Sequence, residues 1–131
     1  MRILLLSDLH HELWRDKAPV IAPSASRPDI VILAGDIDTG TKAVTWAATT
    51  FPGIPVLYVH GNHEAYGRNI DEIPDAIAAA CALTANVHFL NCSEYIAANV
   101  RFLGATMWTD FPPVWRRQPR RSHARCRSCN E

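Results

Sequence analysis

The chain has 131 residues, a formal net charge of zero and an apolar fraction of 48%. This length fits one domain with a hydrophobic core, and the composition excludes wholesale disorder. The apolar run at residues 3–6 is too short for a signal peptide, and no later segment is long enough to span a membrane. We therefore expect a cytoplasmic protein with no membrane partner.

Charge is divided unevenly along the chain. Residues 1–111 hold seven Lys/Arg and twelve Asp/Glu, a balance of −5, whereas residues 112–131 hold six Arg and one Glu, a balance of +5. We therefore divide the chain into a domain over residues 1–111 and an Arg/Pro-rich tail over residues 112–131.

Three short apolar runs, at residues 3–6, 29–34 and 56–59, predict buried strands. Each run ends in polar residues that are not expected in a core. They are Asp8 and His10 after the first run, Asp36 after the second, and Asn62, His63 and Glu64 after the third. A solvated turn explains any one of these groups taken alone.

The segments between the runs decide how the strands pair. Residues 13–28 contain three prolines and predict an irregular connection, and residues 39–51 predict a helix with a small apolar face. Crossovers of this length indicate parallel pairing. The carboxyl ends of parallel strands meet at one sheet edge, so the three polar groups are expected together and predict a metal site.

The pair Asp8 and His10 illustrates the chemistry. If the backbone stays extended, side chains two residues apart point to the same face and can clamp one cation. A carboxylate with an imidazole suits Mn, Fe or Zn better than Ca. The neighbouring His11 and Glu12 receive no role.

The rest of the domain predicts further regular structure. Residues 69–85 are Ala-rich and predict a helix, residues 87–90 a strand, and residues 95–97 with 100–105 a β-hairpin. His88 is expected to be an exposed strand residue rather than a metal ligand, because no strand end lies beside it.

The tail has a different character. His123, Cys126 and Cys129 are spaced as three zinc ligands without a fourth, and the arginines would suit contacts with nucleic-acid phosphates. A disordered tail is the simpler interpretation of this composition. Because Arg outnumbers Lys 11 to 2, as in a GC-rich gene, we also hypothesise that residues 112–131 are frameshifted sequence.

The motifs Asp8-x-His10, Gly35-Asp36 and Gly61-Asn62-His63-Glu64, in this order and each closing a strand, resemble the calcineurin-like metallophosphoesterases. The stretch at residues 102–111 is similar to the hairpin region of bacterial members. The resemblance implies an α/β fold, a two-sheet α/β/β/α sandwich. It also implies a dinuclear site for two divalent ions of the Mn, Fe or Zn type.

Carried over by position, the resemblance assigns metal ligands and one catalytic residue. Asp8 and His10 would bind the first metal, Asp36 would bridge both, and Asn62 would bind the second. His63 would be catalytic, protonating the leaving group or stabilising charge on the phosphate. A metal-activated hydroxide would hydrolyse phosphomonoesters or phosphodiesters. Asp38 receives no ligand role.

The chain departs from the family pattern after residue 64, because it lacks a later His ligand and a Gly-His-x-His pair. We therefore expect a C-terminally truncated domain with sheet edges and an apolar face left uncovered. The expected function is a metallophosphoesterase acting on a phosphate-ester substrate. The alternatives are a non-catalytic remnant with at most one weakly held metal, and nucleic-acid binding through the tail alone.

Overall fold

The computed structural model describes residues 1–14 and 17–108. The continuation of the hairpin region to Phe111, the domain boundary at residue 111 and the tail with His123, Cys126 and Cys129 lie outside the described residues.

Four short strands form a parallel sheet in the order β1-β2-β3-β4. They are β1 (Ile3–Leu6), β2 (Ile30–Ala34), β3 (Val56–Val59) and β4 (Val87–Phe89). Pairing runs to the carboxyl ends, where Leu6 is in register with Leu33 and Ala34 with Val59. The predicted parallel pairing is confirmed, and the polar segments after β1, β2 and β3 leave the sheet at one edge.

Helices connect the strands. They are α1 (His11–Trp14), α2 (Pro23–Ser26), α3 (Lys42–Thr50) and α4 (Ile73–Ala82), with a 3₁₀ helix at His63–Ala65. α4 is shorter than the predicted helix over residues 69–85. The side-chain oxygen of Asn69 accepts a 3.0 Å hydrogen bond from the Asp71 N–H, which holds a turn there. Pro74 lies in the first turn of the helix, where its missing N–H costs nothing.

One face of the sheet carries the main core. Val31 and Leu33 of β2 and Val56 and Tyr58 of β3 are fully buried on this face, against the apolar sides of α3 and α4. The buried helix residues are Ala43, Val44, Ala47, Ile73, Ile77 and Cys81. α3 therefore packs with the small apolar face predicted for it.

The hairpin β5 (Ser93–Ala97) and β6 (Val100–Gly104) forms a separate antiparallel sheet on the other face. Its Tyr95 and Phe102 pack against the buried Leu57 and Leu90. The fold is therefore α/β with two sheets, as expected for the metallophosphoesterase sandwich.

The second face is only partly covered. Ile3 and Leu5 of β1 point to the hairpin side by register, yet they remain 48% and 63% exposed. Ile3 and Leu5 therefore leave an exposed apolar face at β1. Within the described ranges, no helix has the length and apolar character that crossing a membrane requires.

Candidate metal centre and active site

The segments after β1 and β2 run side by side beyond the sheet. The N–H of Asp8 donates to the carbonyl of Gly35 at 3.1 Å, and the N–H of His10 donates to the carbonyl of Asp36 at 3.0 Å. His11 continues the series with a 2.9 Å bond to the carbonyl of Ile37. These bonds fix the two segments to each other where the polar side chains begin.

The backbone at three of these positions is left-handed. φ is +54° at Asp8, +47° at His10 and +55° at Asp36. The expectation that the chain stays extended through Asp8 and His10 is therefore wrong, because the carbonyls of the neighbouring segment capture these amides and turn the chain. Residues other than glycine adopt such φ values at a cost of about 1 kcal/mol or more. Residues with this backbone strain concentrate at functional sites.

The turned backbone still brings the predicted ligands together. His10 Nε2 lies 4.0 Å from Asp8 Oδ1, and Asp8, His10 and Asp36 each offer one ligand atom within 4.8 Å of the others. Two carboxylates and an imidazole form a donor set that suits a divalent transition metal. Asp8 is mostly exposed, so this cluster opens to solvent.

The third polar group joins the cluster through its backbone. The N–H of His63 donates a 2.8 Å hydrogen bond to Asp36 Oδ1, which fixes the carboxylate that the two-metal arrangement would share. Asn62 precedes this contact at the start of the 3₁₀ helix, and its side chain is exposed. A ligand role for Asn62 stays a prediction.

Glu64 does not belong to the polar surface, contrary to expectation. It is 0% exposed, and its carboxylate accepts four hydrogen bonds. Three come from the backbone amides of Asp36 (3.2 Å), Ile37 (3.1 Å) and Gly61 (2.8 Å), and the fourth comes from the Tyr58 hydroxyl (2.8 Å). A carboxylate can be buried when its oxygens accept enough hydrogen bonds. Glu64 meets this condition and connects the loops after β2 and β3 through these bonds.

Two glycines allow the loops to approach this closely. A Cβ on Gly35 would lie 2.9 Å from the backbone nitrogen of Gly61, and φ at Gly35 is +88°. A Cβ on Gly61 would overlap the Asp36 carboxylate. Both positions therefore need glycine for the ligand geometry rather than for a generic turn.

Glu12, which received no role from the sequence, lies inside the site. Its Oε1 is 2.8 Å from His63 Nδ1 and 3.4 Å from His10 Nδ1. Burial acts to raise the pKa of Glu12, but the hydrogen bonds from His63 and His10 outweigh it and the net pKa is lowered. The sequence signal for Glu12 is its position at the end of the run from Asp8 to Glu12, in the first turn of α1.

Two other candidates fall outside the cluster, as expected. Asp38 accepts a hydrogen bond from the Thr39 N–H at 2.6 Å and pairs with Lys42 at 3.7 Å. It lines a cavity of about 420 Å³ on the side of His11 and Trp46. His88 is half-buried rather than exposed, because its ring packs on Tyr95 with centroids 4.6 Å apart.

The comparisons with known proteins agree with this geometry. The sequence profile of the family described as calcineurin-like phosphoesterase matches residues 1–116. The chain belongs to the calcineurin-like phosphoesterase family. A comparison with curated proteins finds no match.

Membership of the calcineurin-like phosphoesterase family gives the site its chemical class. The match supports a phosphoesterase, a hydrolase, in general. Members typically bind divalent metals, and the Asp8, His10 and Asp36 cluster provides ligand groups of the kind they use.

Proposed function

We propose that this chain is a metal-dependent phosphoesterase that hydrolyses phosphomonoesters or phosphodiesters at a dinuclear centre. The observation that supports it most is the convergence of Asp8, His10 and Asp36 on one point, with His63 attached to Asp36 by its own amide. Three separate strand ends supply these groups. A solvated loop explains one such end but gives no reason for all three to converge.

The donor set fits the metals that the family implies. Asp8 and His10 would hold the first ion, Asp36 would be shared, and Asn62 would contribute to the second. Divalent ions in such a centre supply Lewis acidity and a hydroxide at neutral pH. The left-handed backbone at Asp8, His10 and Asp36 favours this assignment, because preformed strain of this kind is common at metal and catalytic sites.

His63 is the proposed general acid. Its Nδ1–H donates to Glu12 Oε1 at 2.8 Å, which orients the ring and leaves Nε2 for the substrate. With Nδ1 held by Glu12, Nε2 is the ring nitrogen that would give its proton to the departing ester oxygen. Glu12 is a positioning residue in this scheme, because it acts through His63.

The decisive experiment uses the full chain, stripped of metal and reloaded in separate samples with Mn²⁺, Fe²⁺ or Zn²⁺. Turnover of p-nitrophenyl phosphate or its bis ester is measured for the wild type, Asp36→Asn and Asp38→Asn. We expect turnover in the wild type and Asp38→Asn and its loss in Asp36→Asn. Asp38 is the matched control, since its carboxylate lies two residues away and pairs with Lys42.

Two results would contradict the proposal. The first is a wild type that turns over neither substrate with any of Mn²⁺, Fe²⁺ and Zn²⁺, which would favour a non-catalytic remnant. The second is an Asp36→Asn variant as active as the wild type, which would put the activity elsewhere.

The role of His63 has its own test. His63→Asn should lower the rate about 10²- to 10⁴-fold, the usual contribution of a general acid. Glu12→Gln should lower it less, because the side-chain oxygen of Gln can still accept the hydrogen bond from Nδ1 but accepts it more weakly than a carboxylate. Equal rates in Glu12→Gln and wild type would remove Glu12 from the mechanism.

A further inference from the structure

A second group of metal-type ligands lies beside the first. His10, Glu12 and His63 each offer one ligand atom within 4.8 Å of the others, and all three side chains are partly buried. Glu12 Oε1 is 2.8 Å from His63 Nδ1 and 3.4 Å from His10 Nδ1. The two rings meet edge to face with centroids 4.2 Å apart.

The hydrogen bonds of this group leave one carboxylate oxygen of Glu12 without a partner in the described residues. The second carboxylate oxygen of Glu12, Oε2, is buried and has no hydrogen-bond partner within the described residues. A buried carboxylate oxygen without a donor costs free energy, which a cation at that carboxylate would offset. The unpartnered Oε2 therefore points to a cation independently of the spacing of the three ligand atoms.

We propose that His10, Glu12 and His63 form an additional metal site, which shares His10 with the Asp8, His10 and Asp36 cluster. Two imidazoles and one carboxylate are the ligand set of tetrahedral zinc sites that keep a fourth position open. Ligand atoms around tetrahedral zinc, with bonds of about 2.0–2.2 Å, lie about 3.3 Å apart. The 2.8 Å distance between Glu12 Oε1 and His63 Nδ1 would have to widen by about half an ångström to reach this value.

His10 belongs to both groups and couples them. Its Nδ1 faces Glu12, whereas its Nε2 lies 4.0 Å from Asp8 Oδ1. A neutral imidazole has one free lone pair, so binding two cations at once would require His10 to lose its one remaining N–H proton. Occupancy of one group therefore weakens the other.

A metal at this site has a consequence that rests on the proposed function. It would replace the proton shared by His63 and Glu12 and remove both from the acid chemistry. Zinc in excess would then inhibit the Mn²⁺-loaded protein. The site itself is tested by binding, so a failure of the phosphoesterase proposal leaves it standing.

The test measures Zn²⁺ affinity by calorimetry and the visible absorption of bound Co²⁺, in metal-free full-length chains. All variants carry Asp36→Asn, which disables the first cluster. To this background is added either Glu12→Gln or, as the matched control, Asp8→Asn, which removes the carboxylate on the opposite side of His10. The tail residues His123, Cys126 and Cys129 are the same in both chains, so any zinc they bind cancels in the comparison.

We expect the Asp8→Asn chain to keep one Zn²⁺ and an intense tetrahedral Co²⁺ spectrum, and the Glu12→Gln chain to lose at least tenfold in affinity together with that spectrum. Equal binding by the two chains, or loss in the Asp8→Asn chain alone, would overturn the proposal. If Glu12→Gln does not fold, His63→Gln in the same background replaces it with the same expectation.

Discussion

The hydroxyl of Tyr58 donates a 2.8 Å hydrogen bond to Oε1 of the fully buried Glu64. The same carboxylate accepts the amides of Asp36, Ile37 and Gly61, so one side chain fixes the segments after β2 and β3. Burial, with the nearby charge of Glu64, raises the pKa of Tyr58, and the phenol stays a donor at every accessible pH. The arrangement of the candidate metal ligands therefore depends on the buried pair of Tyr58 and Glu64.

Tyr58→Phe should destabilise the fold by about 1.5–3 kcal/mol, the usual cost of losing a hydrogen bond to a charged group. The loss is at the upper end of this range if no water replaces the hydroxyl. Urea unfolding of the metal-free chain measures it.

Tyr95→Phe is the matched control for Tyr58→Phe, because Tyr95 is half-buried and packs on His88 without a hydrogen bond from its hydroxyl in the described residues. Its free energy of unfolding should change by less than about 0.5 kcal/mol. Equal losses in the two variants would show that Glu64 does not depend on the phenol.

Much of the fold could be predicted from local patterns. The apolar runs of the four strands, the parallel pairing and the small apolar face of α3 follow from periodicity and crossover length. The exact start of α4 did not, because a side-chain turn at Asn69 outcompetes the helical propensity of residues 69–72.

The site was less predictable, for a physical reason. Glu64 and Glu12 carry no sequence mark that separates a buried acceptor from an exposed acid, since their roles depend on amides and imidazoles brought in by other segments. The convergence of Asp8 and His10 was predicted, but from an extended backbone that the structure replaces with left-handed turns. The proximity of Asp8, His10 and Asp36 therefore follows from strand order rather than from local conformation.

Gly61→Ala should weaken metal binding more than it weakens the fold. The new methyl group would overlap the Asp36 carboxylate and displace it from the cluster. Changes that misplace a ligand in this way cost about 10–100-fold in metal affinity. Mn²⁺ titration measures the effect.

The control for Gly61→Ala is Gly53→Ala. Gly53 has a φ of +73° and open space around its Cβ position, so alanine there costs only backbone strain of about 1 kcal/mol. Its Mn²⁺ affinity should stay that of the wild type. A Gly61→Ala chain that binds Mn²⁺ normally would show that Asp36 is not a ligand.

Metal loading should stabilise the chain through linkage. A ligand that binds only the folded state at 100 times its dissociation constant adds about 2.7 kcal/mol to the free energy of unfolding. Urea unfolding with Mn²⁺ and then with excess EDTA should show this gain and its reversal in the wild type and in Asp38→Asn, but not in Asp36→Asn. A gain that survives Asp36→Asn would place the ion away from the cluster.

His60 should make stability depend on pH. It is 3% exposed, its Nδ1 contacts the Thr106 hydroxyl, and its Nε2 is buried without a partner in the described part of the chain. Burial lowers the pKa of His60 and outweighs the opposing effect of Glu64. A proton on Nε2 would leave a buried charged N–H without an acceptor.

The sign of this dependence follows from the lowered pKa. Above about pH 6.5 His60 is neutral in both the folded and the unfolded chain, so it adds no pH dependence there. As the pH falls from that value toward the lowered folded-state pKa of His60, only the unfolded chain takes up the proton. The free energy of unfolding therefore decreases by up to about 1.4 kcal/mol for each pH unit of acidification. Urea unfolding in EDTA at pH 7.5 and 5.5 should show a smaller loss for His60→Gln than for the wild type. The control is His88→Gln, which alters a half-buried surface imidazole and should lose as much stability between the two pH values as the wild type. A His60→Gln chain that also lost as much as the wild type would contradict the prediction for His60.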